Sequence, residues 1–222
     1  MSDIRAFIFD LDGVITDTAE YHYLAWKRLA DEEGLPFTRE DNEQLRGVSR
    51  RESLLRLLKG KRIPEQTLLS WMERKNAYYV ESLESITPDD ALPGVVNFLN
   101  MARSADLKLG IGSASKNAKS VIEKLQMGHY FEIIGDGYSV VNSKPAPDLF
   151  VWVAGGMQLP ADQTVVFEDS QAGIDAAKVA GCYSVGIGTA NVDHADIVVR
   201  DLSQITVDDV IRQLMARQLS HE

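Results

Sequence analysis

Two carboxylates stand two residues apart in residues 7–18, FIFDLDGVITDT. Asp10 and Asp12 follow a short apolar run, from Ile4 to Phe9, of the kind a buried parallel strand shows. With a period of two they point the same way for as long as the chain stays extended. Gly13 then permits a sharp exit. Side by side the two acids repel, which favours a cation between them or a proton on one. A strand running into an Asx-type turn would leave the same residues with no chemistry at all. The pair therefore gains its meaning from the rest of the chain.

Three further places bear on it. Residues 107–112 read as a strand ending in Ser113-Ala114-Ser115-Lys116-Asn117. A loop after a short strand at 131–134 carries Ser143-Lys144-Pro145. Residues 163–167 read as a strand ending in Glu168-Asp169. Alone, these would be a helix start, an exposed loop lysine and a solvated turn. In a parallel sheet, however, the C-terminal strand ends lie along one edge, where residues distant in sequence converge. Asp10, Glu168 and Asp169 would there form a hard oxygen site suited to Mg²⁺. Lys144 and Ser113 would add a cation and a hydroxyl. That set suits a phosphate monoester. Metal and lysine offset the dianion's charge, while Ser113 and nearby backbone N–H groups orient its oxygens. One carboxylate can attack as a nucleophile, giving an aspartyl phosphate, and the second can serve as general acid and base.

The elements that must hold these groups follow from periodicity and caps. Residues 18–33 read as a helix started by Asp17 or Thr18 and closed by Gly34. Its Ala19, His22, Trp26 and Leu29 share a face. Ser49 followed by Glu52 reads as a capping box before Leu54, Leu55, Leu57 and Leu58. Pro64 suits the first turn of a third helix reaching Leu83, with Leu68, Met72, Lys75, Tyr79 and Leu83 on one face. No strand is expected between residues 19 and 88. A crossover needs only about a dozen residues or somewhat more, so this long helical stretch reads as an insertion, with joints near 15–18 and 85–92. After Pro93 helices (94–103, 117–127, 148–155, 171–180, 207–219) alternate with strands, including 184–187 and 197–199. The expected fold is α/β, a doubly wound parallel-sheet, Rossmann-like core (1–16 and 92–222) with an inserted α-helical cap domain (17–91).

Composition narrows the partners. Of 222 residues, 45% are hydrophobic and 25% charged, as in ordinary globular proteins. A net charge of −10 argues against nucleic acid or an anionic membrane as partner, though a few local cations suffice for a phosphate. The single Cys182 permits neither an intrachain disulfide nor a thiolate metal cluster, and its neighbours suggest a buried structural thiol. Strand-like sequence by Ile4, with no signal peptide and no membrane-spanning apolar run, leads to the expectation of a cytoplasmic protein. No apolar surface helix is left over, which leads to the expectation of a monomer.

The motifs DLDGVITDT, GSAS, SKPAPD and EDSQAG resemble those of the haloacid dehalogenase-like superfamily and cover the sheet domain end to end. TAEYH, GVSR, SASKN and RKN near residue 75 bring the resemblance closer to the β-phosphoglucomutase family of that superfamily. The resemblance implies an isomerase, a phosphomutase that interconverts β-D-glucose 1-phosphate and D-glucose 6-phosphate. It implies an aspartyl-phosphate enzyme, β-glucose 1,6-bisphosphate as activating intermediate, Mg²⁺ as cofactor and a small phosphorylated sugar as partner. Asp10 would be the nucleophile and Asp12 the general acid/base. Asp10, Glu168, Asp169 and the main-chain carbonyl of Asp12 would hold the metal. Ser113, Ala114 and Lys144 would meet the transferring phosphate; Arg50, Ser115, Lys116 and Asn117 would meet the distal phosphate and substrate. His22, Lys75, Gly47, Val48, Ser49 and Trp26 would be cap contacts, and Thr16, Asp17 and Thr18 a hinge. Between Leu58 and Arg74 nothing matches residue by residue, and Arg50 is distinguished from Arg51 only by its place in GVSR.

Physical reasoning supports part of this independently. Arg50 and Arg51 fall in a first helical turn, where the dipole disfavours cations unless an anion is to be met or both project into solvent. Lys116 and Asn117 begin a helix after a strand, a good place for phosphate oxygens. Lys75 lies on an apolar stripe and either snorkels or faces a polar cleft. His22 is either a satisfied core histidine or a cap contact. A mutase must hold a bisphosphate in two orientations and so needs two phosphate sites, which favours it over a sugar-phosphate phosphatase on the same fold. A regulator that stores an aspartyl phosphate would need the carboxylates and the lysine but no cap rich in sugar contacts.

Overall fold

The computed structural model describes residues 3–188 and 192–219. Six strands form one parallel sheet: β1 (Ala6–Phe9), β2 (Lys108–Gly112), β3 (Ile133–Gly135), β4 (Thr164–Glu168), β5 (Tyr183–Ile187) and β6 (Ile197–Val199). Their order is β3-β2-β1-β4-β5-β6. Every residue of β1 and β4 is buried, which explains why these strands read as near-continuous apolar runs.

The two faces of the sheet are covered by different helices. Phe7, Phe9, Leu109, Ile111, Val165 and Phe167 face α5 (Val95–Ser104), α6 (Ala118–Lys124) and α9 (Val207–Leu219). Phe98 of α5 stacks on Phe7 at 5.9 Å and meets Phe167 edge-on at 5.3 Å. Ala6, Ile8 and Val166 face α7 (Asp148–Gly156) and α8 (Gln171–Ala180). Gly110 and Gly112 let α7 approach closely: a Cβ would lie 2.7 Å from Val153 and 2.9 Å from Phe150.

Between β1 and α5 lie α1 (Ala19–Glu32), α2 (Arg39–Glu43), α3 (Arg50–Leu57) and α4 (Glu65–Ser82), with no strand among the described residues. Trp26, Leu29, Phe37, Leu54, Leu57 and Leu68 form a core of their own. The chain leaves and re-enters the sheet side by side. Thr16 bridges Ala91, its Oγ1 donates to the Asp90 carbonyl at 2.7 Å, and Leu92 N–H donates to the Ile15 carbonyl at 2.9 Å.

Several local details depart from the pattern expected. The α2 helix was not anticipated: five residues show no apolar period, and its mark is a Thr38–Asp41 capping box. The Ser49 box is only half made. Ser49 accepts the Glu52 N–H at 3.2 Å, but the Glu52 carboxylate turns to Arg56 at 3.0 Å, an i,i+4 pair, instead of reaching back. Leu55 points outward. The helix after Asn117 ends at Lys124 instead of Met127, because the chain takes a positive φ of 57° at Gln126 and a short 3₁₀ turn before β3. The Cys182 thiol is buried beside Thr164. Among the described residues no helix is long and apolar enough to cross a membrane.

Candidate active site

The sheet order places β1 between β2 and β4, where the connections depart in opposite directions. That switch point is where open α/β sheets bind ligands, beyond the C-terminal strand ends. Asp10 directly follows β1, Ser113 follows β2, Glu168 ends β4 and Asp169 follows it. Asp10, Glu168 and Asp169 each offer an oxygen, all within 4.8 Å of one another. Lys144, from the loop between β3 and α7, is completely buried; its Nζ lies 2.6 Å from Asp10 Oδ1 and also donates to Glu168. The other Glu168 oxygen accepts the Ser170 N–H at 3.0 Å and its hydroxyl at 2.8 Å. Two glycines make room: at Gly13 (φ +84°) a Cβ would run into the Asp169 carboxylate, and at Gly173 into that of Glu168.

Burial governs the protonation of these acids. It raises the Asp10 pKa, Lys144 opposing and Glu168 adding, to about 6. Burial and then the Asp10 charge raise Asp12 to about 7. Asp169 is pushed well above the ordinary carboxylate range by burial, Glu168 and Asp10, against the pull of Arg46. Burial disfavours the Lys144 ammonium, but Asp10 and Glu168 more than offset this and raise its pKa. Crowded, desolvated carboxylates with one buried lysine form a donor set that fits a hard divalent cation such as Mg²⁺.

The helical segment supplies the opposite wall. His22 Nε2 lies 3.9 Å from Asp12 Oδ2, its Nδ1 shares a 2.8 Å hydrogen bond with Lys75 Nζ, and its ring stacks on Tyr79 at 4.0 Å. Lys75 is buried between the rings of Trp26 (4.9 Å) and Tyr79 (4.8 Å). Burial and the neighbouring Arg50 lower its pKa well below the usual lysine value, Asp12 opposing. Arg50 Nη2 donates to Asn76 Oδ1 at 2.7 Å, and Asn117 Nδ2 donates to the same oxygen at 2.9 Å. Arg51 instead pairs with Glu65 on the surface at 2.6 and 2.8 Å.

One cavity joins these walls. Asp10, Asp12, Ser113, Ala114, Ser115, Lys116 and Asp169 line it from the sheet, and His22, Trp26, Gly47, Val48, Arg50 and Lys75 from the helices. The remaining residues expected at the site lie off its wall. Lys144 and Glu168 are buried, Lys144 joining Glu168 to Asp10. The Ser49 hydroxyl is engaged at the start of α3, and the Asn117 amide is turned to Asn76. Asp17 accepts the Ala19 N–H at 3.0 Å, while Thr16 holds the paired connection. Thr18, expected at a hinge or as the cap of α1, sits at the start of α1 but donates its hydroxyl to Asp12 instead of capping the helix.

Sequence reasoning missed Asn42, Leu45, Arg46 and Ser53, which also line the cavity, and Asn76, which ties Arg50 to Asn117. Arg46 matters most: its Nη1 lies 2.7 Å from Asp169 Oδ2, and its Nε 3.0 Å from Glu43. A basic residue beside the turn at Gly47 was the available signal. Asn76 lies within the RKN motif, but nothing local assigned it a partner.

An aspartate pair just beyond the central strand of such a sheet, backed by a buried lysine and a second acid pair, is a set of groups suited to phosphoryl transfer. Residues 4–181 match the haloacid dehalogenase-like hydrolase family. The β-phosphoglucomutase of Bacillus subtilis is 39% identical over 213 residues, 92% of this chain and 93% of that protein. The crystal structure of a β-phosphoglucomutase from Clostridium difficile superposes with a TM-score of 0.94 at 39% identity, covering 97% and 99% of the two chains. A phosphorylated carbohydrates phosphatase of Thermotoga maritima is more distant, at 29% identity over 80% of this chain and 82% of its own. The chain belongs to the haloacid dehalogenase-like hydrolases and, within them, to the β-phosphoglucomutase family.

Proposed function

We propose that this enzyme interconverts β-D-glucose 1-phosphate and D-glucose 6-phosphate through β-glucose 1,6-bisphosphate. The observation that carries the proposal is one cavity lined by two sets of groups. Ser113 lines it beside Asp10 and Asp12, with Lys144 paired to Asp10 off its wall. Arg50, Ser115 and Lys116 line it too, and Arg50 shares Asn76 with Asn117. A bisphosphate that must be held either way round needs both. A phosphatase on the same fold needs Asp10 and Asp12 but no grip on a second phosphate.

Asp10 carries the phosphoryl group. The free hydroxyl of the bound sugar phosphate loses its proton to Asp12 and attacks phosphorus, and the bond from phosphorus to the Asp10 oxygen breaks, leaving the bisphosphate. With the bisphosphate turned end for end, Asp10 attacks its other phosphate. Asp12 returns the proton to the departing sugar oxygen, and the isomer leaves. The raised pKa of Asp12, about 7, suits a group that gives and takes a proton near neutrality. Lys144 offsets charge on the phosphate, and Ser113 and the adjoining backbone orient its oxygens. Asp10, Glu168 and Asp169, with the main-chain carbonyl of Asp12, would hold Mg²⁺, which when bound would supply further charge neutralisation. Residues 17–91 act as a cap that closes over the sheet edge and excludes water from the aspartyl phosphate.

The test is a coupled assay for glucose 6-phosphate from each anomer of glucose 1-phosphate, with catalytic bisphosphate and Mg²⁺. Turnover is expected from the β anomer alone. Phosphate release from either anomer without glucose 6-phosphate would establish a phosphatase instead.

A further inference from the structure

The turn after β3 carries a residue that the reaction above leaves unused. Tyr138 is 72% exposed, yet its backbone is firmly held. The buried Asp136 carboxylate accepts the Tyr138 N–H at 2.9 Å, and the Asp136 N–H donates to Ser139 Oγ at 3.0 Å. The Gly137 N–H donates to the Ser115 carbonyl at 3.1 Å. A Cβ at Gly137 would lie 2.6 Å from the Ala114 carbonyl oxygen and 2.8 Å from Lys116 Cγ, so glycine lets this turn press onto the loop after β2. The outcome is a phenol ring whose centre lies 4.5 Å from the Lys116 ammonium. Lys116 and Arg50 both line the cavity. The ring therefore stands beside a cation that lines the cavity.

We propose that Tyr138 is a positioning residue of the distal phosphate site, its ring holding the Lys116 ammonium in place to meet the phosphate that is not being transferred. A free lysine loses much rotamer freedom when it grips a ligand. One already resting on an aromatic face loses less, and the attraction leaves its remaining N–H donors directed away from the ring. Preorganisation of this kind appears in binding and not in the chemical step. A large exposed aromatic on a rigid turn at the cavity rim is otherwise unexplained by packing.

This inference rests on the distal-site part of the proposed function, and the experiment separates the two. Equilibrium binding of glucose 6-phosphate, without bisphosphate, is measured by calorimetry in wild type, Tyr138→Ala, Tyr138→Phe, Lys116→Ala and the Lys116→Ala/Tyr138→Ala double variant. KM and kcat for β-glucose 1-phosphate are measured alongside. Tyr138→Ala is expected to weaken binding and raise KM about threefold, the size of an exposed cation–π contact, with the loss in KM and not in kcat. Tyr138→Phe keeps the ring and should bind as wild type does. Once Lys116 is alanine, removing Tyr138 should change nothing further. Wild-type binding by Tyr138→Ala, an equal loss with and without Lys116, or a Phe variant as weak as Ala would each overturn the proposal. Absence of glucose 6-phosphate formation by wild type would refute the mutase reading, while the binding cycle would still decide the role of Tyr138.

Discussion

Arg50 and Arg51 are adjacent and chemically identical, yet the fold gives them opposite surroundings. Arg51 lies on the surface, paired with Glu65, and Arg50 reaches the cavity, anchored on Asn76. A guanidinium can grip a phosphate through two parallel hydrogen bonds, which a lysine cannot reproduce. Arg50→Lys should lower kcat/KM for the mutase reaction by roughly two orders of magnitude, about 3 kcal/mol, because distal binding energy also serves to close the cap. Arg51→Lys should change it by less than about twofold. The coupled assay on both variants checks this, and equal effects would place the second phosphate elsewhere. At this scale the sequence was legible where a residue sits at a strand end. Asp10, Ser113, Glu168 and Asp169 lie where the strand pattern put them, and their convergence follows from a parallel sheet. Arg46, Asn42 and Ser53 were not legible, because their place at the cavity depends on how the helices sit over the sheet.

The connection between α2 and α3 is one of the elements that join the two walls. Gly47, at φ +71°, lies so close to Ser170 that a Cβ there would collide with its hydroxyl, and Arg46 beside it holds Asp169. This turn therefore rests on the loop after β4, which carries Asp169. Arg46→Ala should loosen closure and raise phosphate released per glucose 6-phosphate formed by about threefold, in keeping with a partly exposed ion pair. An unchanged ratio would show that Arg46 does not hold the turn down. Within the sheet, Phe98→Ala on α5 should cost about 3–5 kcal/mol of stability in a denaturant titration, since its ring fills the space between Phe7, Phe9 and Phe167. Elements with a long apolar period, such as α4, α8 and α9, could be read from the sequence to within a residue or so. The α2 helix could not, because its five residues carry no buried side chain. The end of α6 was misplaced because a left-handed Gln126 breaks the helix with neither glycine nor proline to announce it.

In the molecule as a whole, the order β3-β2-β1-β4-β5-β6 brings acids and lysine to one crevice, and the long helical stretch after β1 places Arg50, Lys75 and His22 above them. That stretch could be foreseen, since no strand pattern interrupts residues 19–88. Its approach to the sheet could not, being set by contacts such as Asn76 with Asn117 that leave no local trace. The acids predict metal dependence: chelation should abolish turnover and Mg²⁺ restore it, whereas full activity after exhaustive chelation would contradict the site. The central claim is that the phosphoryl group on Asp10 passes to a sugar hydroxyl and not to water. Its most direct test follows glucose 6-phosphate and inorganic phosphate in one reaction, starting from β-glucose 1-phosphate with catalytic bisphosphate and Mg²⁺. Glucose 6-phosphate is predicted to form far faster than phosphate is released, until the two sugar phosphates reach equilibrium. Phosphate released as fast as glucose 6-phosphate forms, or faster, would contradict the account.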